Sequence, residues 1–460
     1  MSVTEAQIRS GAYYDSIVLM HLQSSLANLP GVLDAGVVMG TEANKGVLAG
    51  SDLLTPETRA AGADDLVIVV KAADEPAVQA ALGQVDELLS RRRGMDVEQT
   101  YRPKSLESAA RILPQAGWVL VSVPGRHAAG VARQALRLGK HVFLYSDNVS
   151  LEEELTLKQT AAGRGLLVMG PDCGTAIVSG IGLGFANAVR RGSIGMVAAS
   201  GTGLQQVSVR IHQLGGGISH AIGTGGRDLS GAVGAITARQ ALELLSRDPE
   251  SKVIVLVSKP PDPAVADGLV RVARLVGKPV VVNFIGYARS PRQVDQVHFT
   301  TTFDETARLA VELAGADVVS GQTEGFDLTR FAAGQRYLRG LFSGGTLAYE
   351  ALHILGDYLP RVYSNTPLRA EERLPDSLES QAHTIIDLGE DEFTVGRLHP
   401  MIDNQLRIRR IDKEASDPEV AVILLDVVLG YGAQPDPAAE LAPAIARARR
   451  SAAGDGRYIE

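Results

Sequence analysis

The sequence predicts an α/β protein of several domains, on the basis of three observations. Continuous apolar strands alternate with amphipathic helices, which is typical of parallel sheets covered on both faces. Glycines gather at the ends of the predicted strands. One strand–glycine–helix junction occurs twice, in "IGMVAASGTGLQQVSVRIHQLG" (194–215) and in "YLRGLFSGGTLAYEALHILG" (337–356). The repeat predicts that two of the domains are duplicates of one fold.

Bulk composition limits the classes of function. At 460 residues the chain is too long for one core. The 45 basic and 53 acidic side chains give a net charge of −8, which argues against nucleic acid or an anionic membrane as a partner. The only cysteine, Cys173, excludes an internal disulfide and a Cys-based zinc site, so no metal is expected. We find no signal peptide and no membrane-spanning run, and expect a cytoplasmic protein.

Residues 1–100 are predicted to form a small α+β domain of the ferredoxin or ACT type. "SIVLM" and "VLDAGVVM" are predicted as strands on either side of the helical "LQSSLANL", and "DDLVIVVKA" leads into the helix "DEPAVQAALGQVDELLSRR". Such a unit can pair subunits or sense a ligand, or it can serve packing alone.

Residues 101–188 are predicted to form a truncated Rossmann-like domain. Its strands are "GWVLVSVP", "KHVFLYS" and "LLVMGPDCGTAIV", with the helices "HAAGVARQALRLG" and "SLEEELTLKQTAAGRG" between them. The glycines of "GIGLGFAN" (180–187) are interpreted as a connection to the next domain.

Two flavodoxin-like domains are predicted to follow, at 189–325 and 326–460. Beyond the junction, "AIGTGGRDLSG" is echoed by "IIDLGEDEFTVGRLHPMID", and "LLSRDPESKVIVLV" by "EASDPEVAVILLDV". The spacing between matches is larger in the last domain. That domain is therefore predicted to carry an insertion, at "PLRAEERLPDSLESQ".

The two junctions are predicted to bind a compact oxyanion such as phosphate. A helix that begins at a strand end presents free N–H groups and the positive end of its dipole, glycines admit the ligand to the backbone, and Ser and Thr add hydroxyl donors. If the two domains are related by a pseudo-twofold axis, both helices point at one ligand. The alternative is that each junction is only a helix cap. The predicted phosphate- or substrate-binding residues here are Ser200, Gly201, Thr202, Gly203, Ser343, Gly344, Gly345 and Thr346.

A second group of candidate residues lies in loops at other strand ends. His399, in "GRLHPMID", lies between Arg397 and Asp403, and serves either as a ligand and catalytic group or as part of a turn. We assign the catalytic role to His399 and Arg397. Arg227 and Asp228 occupy the counterpart loop "GGRD", and Asp172 lies in "GPDCGT". The two arginines are candidates for pairing with a substrate carboxylate.

These segments resemble a known family. "GWVLVSVPGRHAAGVARQALRLGKHVFLYSD", "GLLVMGPDCGTAIVSGIGLG", "GSIGMVAASGTGLQQVSVRIHQLGGGISHAIGTGGRD" and "KVIVLVSKPPDP" are similar to the α-subunit of succinyl-CoA synthetase. "GLFSGGTLAYEAL" is similar to the corresponding junction of that enzyme's β-subunit. The order of the segments, with "GRLHPMID", resembles most the FdrA proteins, which join both types of CoA-ligase domain in one chain.

The chain departs from the synthetase at two places. The glycine-rich loop that opens the synthetase's Rossmann domain and holds coenzyme A has no counterpart before "GWVLVSVP". The Gly-His-Ala-Gly motif of the phosphohistidine has none in "VNFIGYARSPRQVDQVHFT". No cofactor is therefore expected to be required, phosphate or carbamoyl phosphate being substrates, with coenzyme A left open.

The resemblance to FdrA implies a carbamoyltransferase component of purine and allantoin breakdown, which converts oxalurate and phosphate to oxamate and carbamoyl phosphate. It also implies small anionic substrates, a homo-oligomer, and a complex with subunits encoded by neighbouring genes. Two alternatives stay open. One is an acyl-CoA synthetase subunit of the succinyl-CoA ligase type, and the other is a non-catalytic ligand-sensing or scaffold subunit.

Overall fold

The computed structural model describes residues 2–11, 16–51, 53–90, 103, 105–287, 289–316, 318, 327–394, 398–430 and 432–460. The chain divides into two units. The first contains Met1–Arg102 with Asp391–Leu398, and the second Pro103–Glu390 with His399–Glu460.

The first unit contains a three-stranded antiparallel sheet in the order β1-β3-β2. Its elements in chain order are β1 (Val3–Arg9), α1 (Ser16–Ala27), β2 (Val32–Met39), α2 (Glu42–Gly50), α3 (Pro56–Ala60), β3 (Leu66–Ala72), α4 (Glu75–Gly83) and α5 (Val85–Ser90). The central strand β3 is buried on both faces. This is the small α+β domain that the sequence predicts.

One element of this domain was predicted wrongly. The segment "SIVLM" is not a strand but the first part of α1. Leu19, Leu22 and Leu26 are buried on one face of this helix, at a helical rather than an alternating spacing. The strand that precedes the helix is β1, whose side chains are only partly buried and whose sequence alternates weakly.

The second unit begins with a three-stranded parallel sheet of the order β4-β5-β6, the predicted truncated Rossmann-like part. Its elements are α6 (Leu106–Ile112), β4 (Trp118–Val121), α7 (Gly125–Arg137), β5 (His141–Leu144), α8 (Leu151–Ala162) and β6 (Val168–Met169). The alanines of α7 pack with the buried residues of β5, and together they belong to a separate hydrophobic core of this part of the chain.

An eight-stranded sheet follows, in the order β13-β14-β12-β11-β9-β10-β7-β8. Its elements are β7 (Thr175–Val178), β8 (Ile181–Gly184), β9 (Arg191–Ala199), α9 (Gly201–Gln213), β10 (Ile218–Gly223), α10 (Ile236–Arg247), β11 (Val253–Ser258), α11 (Pro263–Ala273), β12 (Val280–Phe284), β13 (Gln293–Val294), β14 (Val297–Phe299) and α12 (Phe303–Leu313). The segment interpreted as a connection is strand β8, which forms an antiparallel hairpin with β7 at the edge of this sheet.

The last sheet has four parallel strands in the order β16-β17-β15-β18. Its elements are β15 (Tyr337–Phe342), α13 (Gly345–Leu355), β16 (Val362–Ser364), β17 (His383–Asp387), α15 (Gln405–Ser416), β18 (Val420–Leu425) and α16 (Pro437–Gly454). The short helix α14 (Asp391–Thr394) belongs to the first unit.

The duplication holds at the level of topology. β9 lies between β11 and β10 in parallel, and β15 lies between β18 and β17 in parallel, which is the pairing that the sequence echoes require. The insertion is longer than predicted, because it contains the extra strand β16 as well as the quoted segment. The α/β fold class is confirmed, and the domain boundaries after 100, 188 and 325 stay predictions.

Across the described ranges, none of the helices combines the length and apolar character that crossing a membrane requires.

Candidate functional site

The first junction is a capped helix start. Strand β9 ends at Ala199, and Ser200 is the N-cap of α9 with an extended backbone. Its Oγ accepts a hydrogen bond of 3.0 Å from the N–H of Gly203. Ser200 therefore satisfies one of the free N–H groups of the first turn, as a capping serine does.

The second junction is built differently. Here Gly344, and not Ser343, is the N-cap of α13, and no side chain caps the helix. The N–H and Oγ of Ser343 donate to the two carboxylate oxygens of Asp426, at 2.8 and 2.7 Å. The two serines thus have different roles, and the first turn of α13 keeps more of its N–H groups free.

The two helix N-termini lie in direct contact. The Oγ of Ser200 and the Oγ1 of Thr346 are 2.6 Å apart and share a buried hydrogen bond. A Cβ added to Gly344 would lie only 2.3 Å from the Cγ2 methyl of Thr202. The glycine is therefore required at 344 for the two helices to approach, and the structure brings together the eight junction residues that the sequence singled out.

Free backbone donors remain at this meeting point. Within the described chain, the N–H groups of Gly201, Thr202, Gly344 and Gly345 have no hydrogen-bond acceptor. Gly201 is exposed, and a Cβ there would find no atom within 4 Å. Free N–H groups at two helix N-termini, with open space beside Gly201, form an arrangement suited to an anion.

A buried carboxyl group faces the second helix. Asp387 ends strand β17, opposite Phe342 of β15, and its Oδ1 accepts 2.9 Å from the N–H of Gly389. Its Oδ2 would lie 2.4 Å from a Cβ on Gly345. Burial is the main cause that raises the pKa of Asp387 to about 7, and the neighbouring carboxylate Glu390 raises it further. Asp387 can therefore exchange a proton near neutral pH.

A lysine from the other duplicated half reaches the same place. Lys259 directly follows β11, and its Nζ lies 3.4 Å from the same Cβ position on Gly345. Its ammonium group acts against the burial effect and holds the pKa of Asp387 lower than it would otherwise be. The site thus combines two helix N-termini, one ammonium group and one titratable carboxyl group.

His399 lies behind the loop that follows Asp387. Its Nε2 would be 2.9 Å from a Cβ on Gly389, and its Nδ1 accepts 3.2 Å from the N–H of Met401. Burial, helped by the charge of Arg407, lowers the pKa of His399 to about 4. The ring is therefore neutral at pH 7, and because Nδ1 is an acceptor, the proton is on Nε2.

A buried ion pair between Asp426 and Arg407 contacts the second junction through Ser343. The carboxylate of Asp426 accepts 2.8 Å from Nη1 of Arg407 while it holds Ser343. Both side chains are nearly inaccessible to solvent, and burial raises the pKa of Asp426. Asp426 and Arg407 are accordingly positioning residues, since they orient the turn that presents the N–H of Gly344.

The remaining predicted residues lie in other environments. Arg227 pairs with Glu154 of α8 at 2.8 Å, and Asp228 is buried against Lys158 at 2.7 Å, where it also caps α10 through the N–H of Ala238. These contacts join the Rossmann-like part to the eight-stranded sheet.

Asp172 and Asp403, two more of the predicted residues, lie in loops, and Arg397 lies outside the residues that the structure describes. Asp172 follows β6 and is exposed, with φ of 53°. Asp403 lies on the turn of His399, where its N–H donates to the His399 carbonyl at 3.2 Å. Arg397 lies outside the described residues, so its role stays a prediction.

Sequence reasoning missed Lys259, Asp387 and Asp426. Lys259 directly follows β11, Asp426 directly follows β18, and Asp387 ends β17, and all three strands are rich in Val, Ile or Leu. Polar groups at the carboxyl ends of parallel strands are the signal that could have found them, because these ends share one edge of a sheet.

Two family models match the chain, both at the level of domains. A model described as "AllF, heavy metal-associated domain" matches residues 1–103, and a model described as "CoA-ligase" matches residues 341–454. The second match includes Ser343, Gly344, Gly345 and Thr346 of the second junction.

The residues of the N-terminal domain do not fit a heavy metal. Soft metals prefer thiolate ligands, and residues 1–103 contain no cysteine. The described parts of the chain also contain no cluster of three His, Cys, Asp or Glu side chains that could hold a metal ion. The match therefore concerns the fold of this domain, and no metal enters the chemistry below.

Similar proteins point to one superfamily. The ADP-forming succinate–CoA ligase subunit alpha of Aquifex aeolicus is 25% identical over 178 residues, covering 37% of this chain and 57% of the relative. The mitochondrial subunit alpha-2 of Trichomonas vaginalis is 25% identical over 296 residues, covering 60% of this chain and 89% of the relative.

A much stronger similarity covers almost the whole chain. The Escherichia coli K12 protein named "Uncharacterized protein YahF" is 44% identical over 464 residues, covering 98% of this chain and 89% of the relative. Together with the CoA-ligase model and the duplicated topology, this places the chain in the YahF family, within the CoA-ligase superfamily.

Proposed function

We propose that the site formed by the two junctions, Lys259 and Asp387 catalyses a phosphate-dependent carbamoyl transfer, in which oxalurate and phosphate give oxamate and carbamoyl phosphate. The observation that carries the proposal is the position of Asp387. A carboxyl group with a pKa of about 7 lies beside an ammonium group and the N-terminus of α13. Such a site can hold a phosphate and supply a proton in the same place.

The proposed reaction is a direct displacement. An oxygen of hydrogen phosphate attacks the carbamoyl carbon of oxalurate, a C–O bond forms, and the bond from that carbon to the imide nitrogen breaks. Protonated Asp387 gives its proton to the departing nitrogen, which becomes the amide of oxamate. The proton released by the phosphate restores Asp387, so that atoms and charges balance.

The same groups would lower the barrier by electrostatics. Negative charge builds up on the carbamoyl oxygen as phosphate adds, and the free N–H groups at Gly201 and Gly344 with the ammonium group of Lys259 are donors for it. Holding both reactants at one point between two helices supplies the rest of the acceleration, since it removes the entropy cost of bringing them together.

The local sequence supports a displacement without a phosphohistidine. In the loop after β12, the described residues Ile285, Gly286 and Tyr287 contain no histidine. The ring of His399 has its Nδ1 lone pair engaged by Met401, so it presents a donor rather than a nucleophile. In this proposal His399 supports the loop of Gly389 and does not carry the phosphoryl group.

The test is formation of carbamoyl phosphate from oxalurate, with and without phosphate, and with and without the products of neighbouring genes. Phosphate-dependent product is expected from the wild type, and a loss of a hundredfold or more from Asp387→Asn, as for removal of a general acid. Asp357→Asn, at an exposed position after α13, is the matched control and should keep full activity. Equal activity of Asp387→Asn and the wild type would overturn the mechanism.

A second candidate is an acyl-CoA ligase subunit that works with a nucleotide-binding partner. It is favoured by the CoA-ligase model over 341–454 and by the similarity to ligase α-subunits. Formation of an acyl-CoA from a carboxylic acid, ATP and coenzyme A in the presence of neighbouring gene products would establish it. Ligand binding without turnover in either assay would instead indicate a non-catalytic subunit.

A further inference from the structure

The insertion of the last domain brings an arginine to the carboxyl end of its sheet. Arg373 lies within "PLRAEERLPDSLESQ" and forms an isolated parallel bridge with Ser364, the last residue of β16. The N–H of the next residue, Leu374, donates to the carbonyl of Ser364 at 2.9 Å, and Leu374 is buried. The backbone at Arg373 is therefore held against the strand end, while Arg373 itself is exposed to solvent.

A buried asparagine connects this arginine to Asp387. The Nη1 of Arg373 donates to the backbone carbonyl of Asn365 at 2.7 Å, and Asn365 directly follows β16. The side-chain amide of Asn365 in turn pairs with the backbone of Asp387: its Nδ2 donates to the carbonyl at 2.9 Å, and its Oδ1 accepts from the N–H at 2.9 Å. Arg373 and Asp387 are thus bonded to the same residue, which fixes the guanidinium group close to the end of β17.

Two cations therefore lie on opposite sides of Asp387. The strand that Asp387 ends, β17, lies between β16 and β15 in the sheet. Arg373 contacts the end of β16, whereas Lys259 lies at Gly345, the first residue of the helix that follows β15. The phenol of Tyr349, one turn further along that helix, is within electrostatic reach of both cations. Burial raises the pKa of Tyr349, and the charges of Lys259 and Arg373 both act to lower it.

The guanidinium group of Arg373 keeps most of its donors for a ligand. Among the residues that the structure describes, no carboxylate forms an ion pair with it, and the carbonyl of Asn365 is the acceptor that its side chain contacts. The adjacent carboxylate of Glu372 pairs with Arg369 instead, at 3.4 Å. Because a guanidinium group carries five N–H donors in a planar fork, it can hold a carboxylate through two parallel hydrogen bonds.

We propose that Arg373 binds the carboxylate of oxalurate, which remains in the product oxamate, while Lys259 and the two helix N-termini hold phosphate. The inference rests on the proposed function for the identity of this carboxylate. Each anionic reactant then has a cation of its own, and Asp387 lies between them, where the bond to the imide nitrogen breaks. The insertion, present in one of the two duplicated halves, thereby supplies the specificity for an acid over its neutral analogue.

The test compares two ligands by calorimetry on the full chain: oxamate and its neutral methyl ester, methyl oxamate. Wild-type protein should bind oxamate about five- to tenfold more tightly. This is the lower end of the range for a charge-assisted hydrogen bond, because water partly screens an exposed guanidinium group. The comparison needs neither a variant nor turnover. Equal affinity for the two ligands, or no detectable binding of oxamate, would overturn the inference.

Variants assign the preference to Arg373. Arg373→Met should bring the two affinities together and leave the affinity for inorganic phosphate unchanged, whereas Arg373→Lys, which retains the charge, should keep part of the preference. Arg361→Met is the matched control, because Arg361 is exposed at the opposite end of β16, and it should behave as the wild type.

A role of Arg373 in supporting Asn365 alone predicts a different result. Arg373→Met would then weaken oxamate and methyl oxamate alike and leave their ratio unchanged, which contradicts the inference. A preference for oxamate that depends on Arg373, without any formation of carbamoyl phosphate, would refute the proposed reaction while supporting the carboxylate site, so the two failures are distinguishable.

Discussion

At the scale of single residues, the most informative group is Asp387. It ends a parallel strand in the interior, where water cannot stabilise its charge, and a second carboxylate, Glu390, lies nearby. One hydrogen bond from Gly389 and the ammonium group of Lys259 act in the opposite direction without cancelling the burial effect. The result is a carboxyl group poised between its two protonation states at the pH of a cell.

This raised pKa predicts a pH-dependent stability. The folded pKa of Asp387, about 7, lies above its unfolded value of 3.8, so the folded chain binds the proton more tightly. The stabilising contribution is complete below pH 4 and is lost as the pH rises to about 7. Glu350, whose pKa burial also raises to about 7, acts in nearly the same window.

Asp387→Asn should therefore remove part of the fall in melting temperature between pH 4 and 8, and should leave the variant more stable than the wild type at pH 8. Thermal melting at several pH values measures this, with Asp357→Asn as the control. A variant that loses stability with pH as steeply as the wild type would show that Asp387 is ionised in both states.

The lysine predicts an effect on affinity. Lys259→Met removes the ammonium group beside Gly345, and should weaken phosphate binding by about ten- to a hundredfold, as expected for one charge-assisted contact. Lys252→Met is the matched control, because Lys252 is exposed at the opposite end of the same strand. Calorimetry with inorganic phosphate is the measurement, and equal affinities of the two variants would remove Lys259 from the site.

At the scale of elements, the helix starts α9 and α13 were predictable and the partners around them were not. A buried apolar strand followed by Ser, Gly and Thr is a local pattern, so Ser200 and Ser343 were found from the sequence. That only the first serine caps its helix depends on Asp426, which is distant in the chain and is brought close by the pairing of β15 with β18.

Other features show the same difference between local patterns, which the sequence predicts, and long-range contacts, which it does not. Lys259 and Asp387 belong to different halves of the duplication, and they are close together only because the two halves pack against each other. The hydrophobic periodicity of the sequence does not predict that packing. Helix α1 was taken for a strand at its start because "SIVLM" is a short apolar run that fits either structure. Strand β16 was missed because three residues inside an insertion carry no pattern of their own.

The contact between the two helices predicts different outcomes for two similar substitutions. Gly344→Ala places a methyl group 2.3 Å from that of Thr202 and should destabilise the fold by about 1–3 kcal/mol, the usual cost of overpacking. Gly201→Ala meets no atom within 4 Å and should leave stability nearly unchanged.

Phosphate binding separates the two positions further. Gly201→Ala should weaken it, because the added methyl group occupies the space through which an anion reaches the free N–H groups. Thermal melting in the absence and presence of phosphate measures both effects. The idea of an anion site at α9 fails if Gly201→Ala keeps the full phosphate-induced shift in melting temperature. Adding Thr202→Ser to Gly344→Ala should recover part of the lost stability, since it removes the clashing methyl group.

At the scale of the whole molecule, the architecture is that of a CoA-ligase relative in which one fold occurs twice in the chain. The strand order around β9 and β15 was predictable as a duplication, since three echoes occur in one order along the chain. The length of the insertion and the hairpin β7–β8 were not predictable from the sequence, because they depend on which sheet edge is available for pairing.

The whole chain is accordingly predicted not to become phosphorylated on histidine. With γ-labelled ATP or GTP, alone or with neighbouring gene products, no acid-labile and base-stable label should appear on the protein, because the loop after β12 lacks the required histidine and the Nδ1 of His399 is engaged. A stoichiometric label of that type would contradict this prediction and support the acyl-CoA ligase mechanism.

The shared hydrogen bond between Ser200 and Thr346 has a consequence for inheritance. The two hydroxyl groups are buried against each other, and one belongs to each copy of a duplicated fold. A mutation that deletes the hydroxyl of Ser200 removes this hydrogen bond from the buried hydroxyl of Thr346, at a cost of about 1–3 kcal/mol, and it also removes the cap on the N–H of Gly203. The two copies are therefore no longer free to drift apart at these positions. Among natural members of the family, a change at 200 should be accompanied by a change at 346, so that the joint is retained or abandoned as a pair.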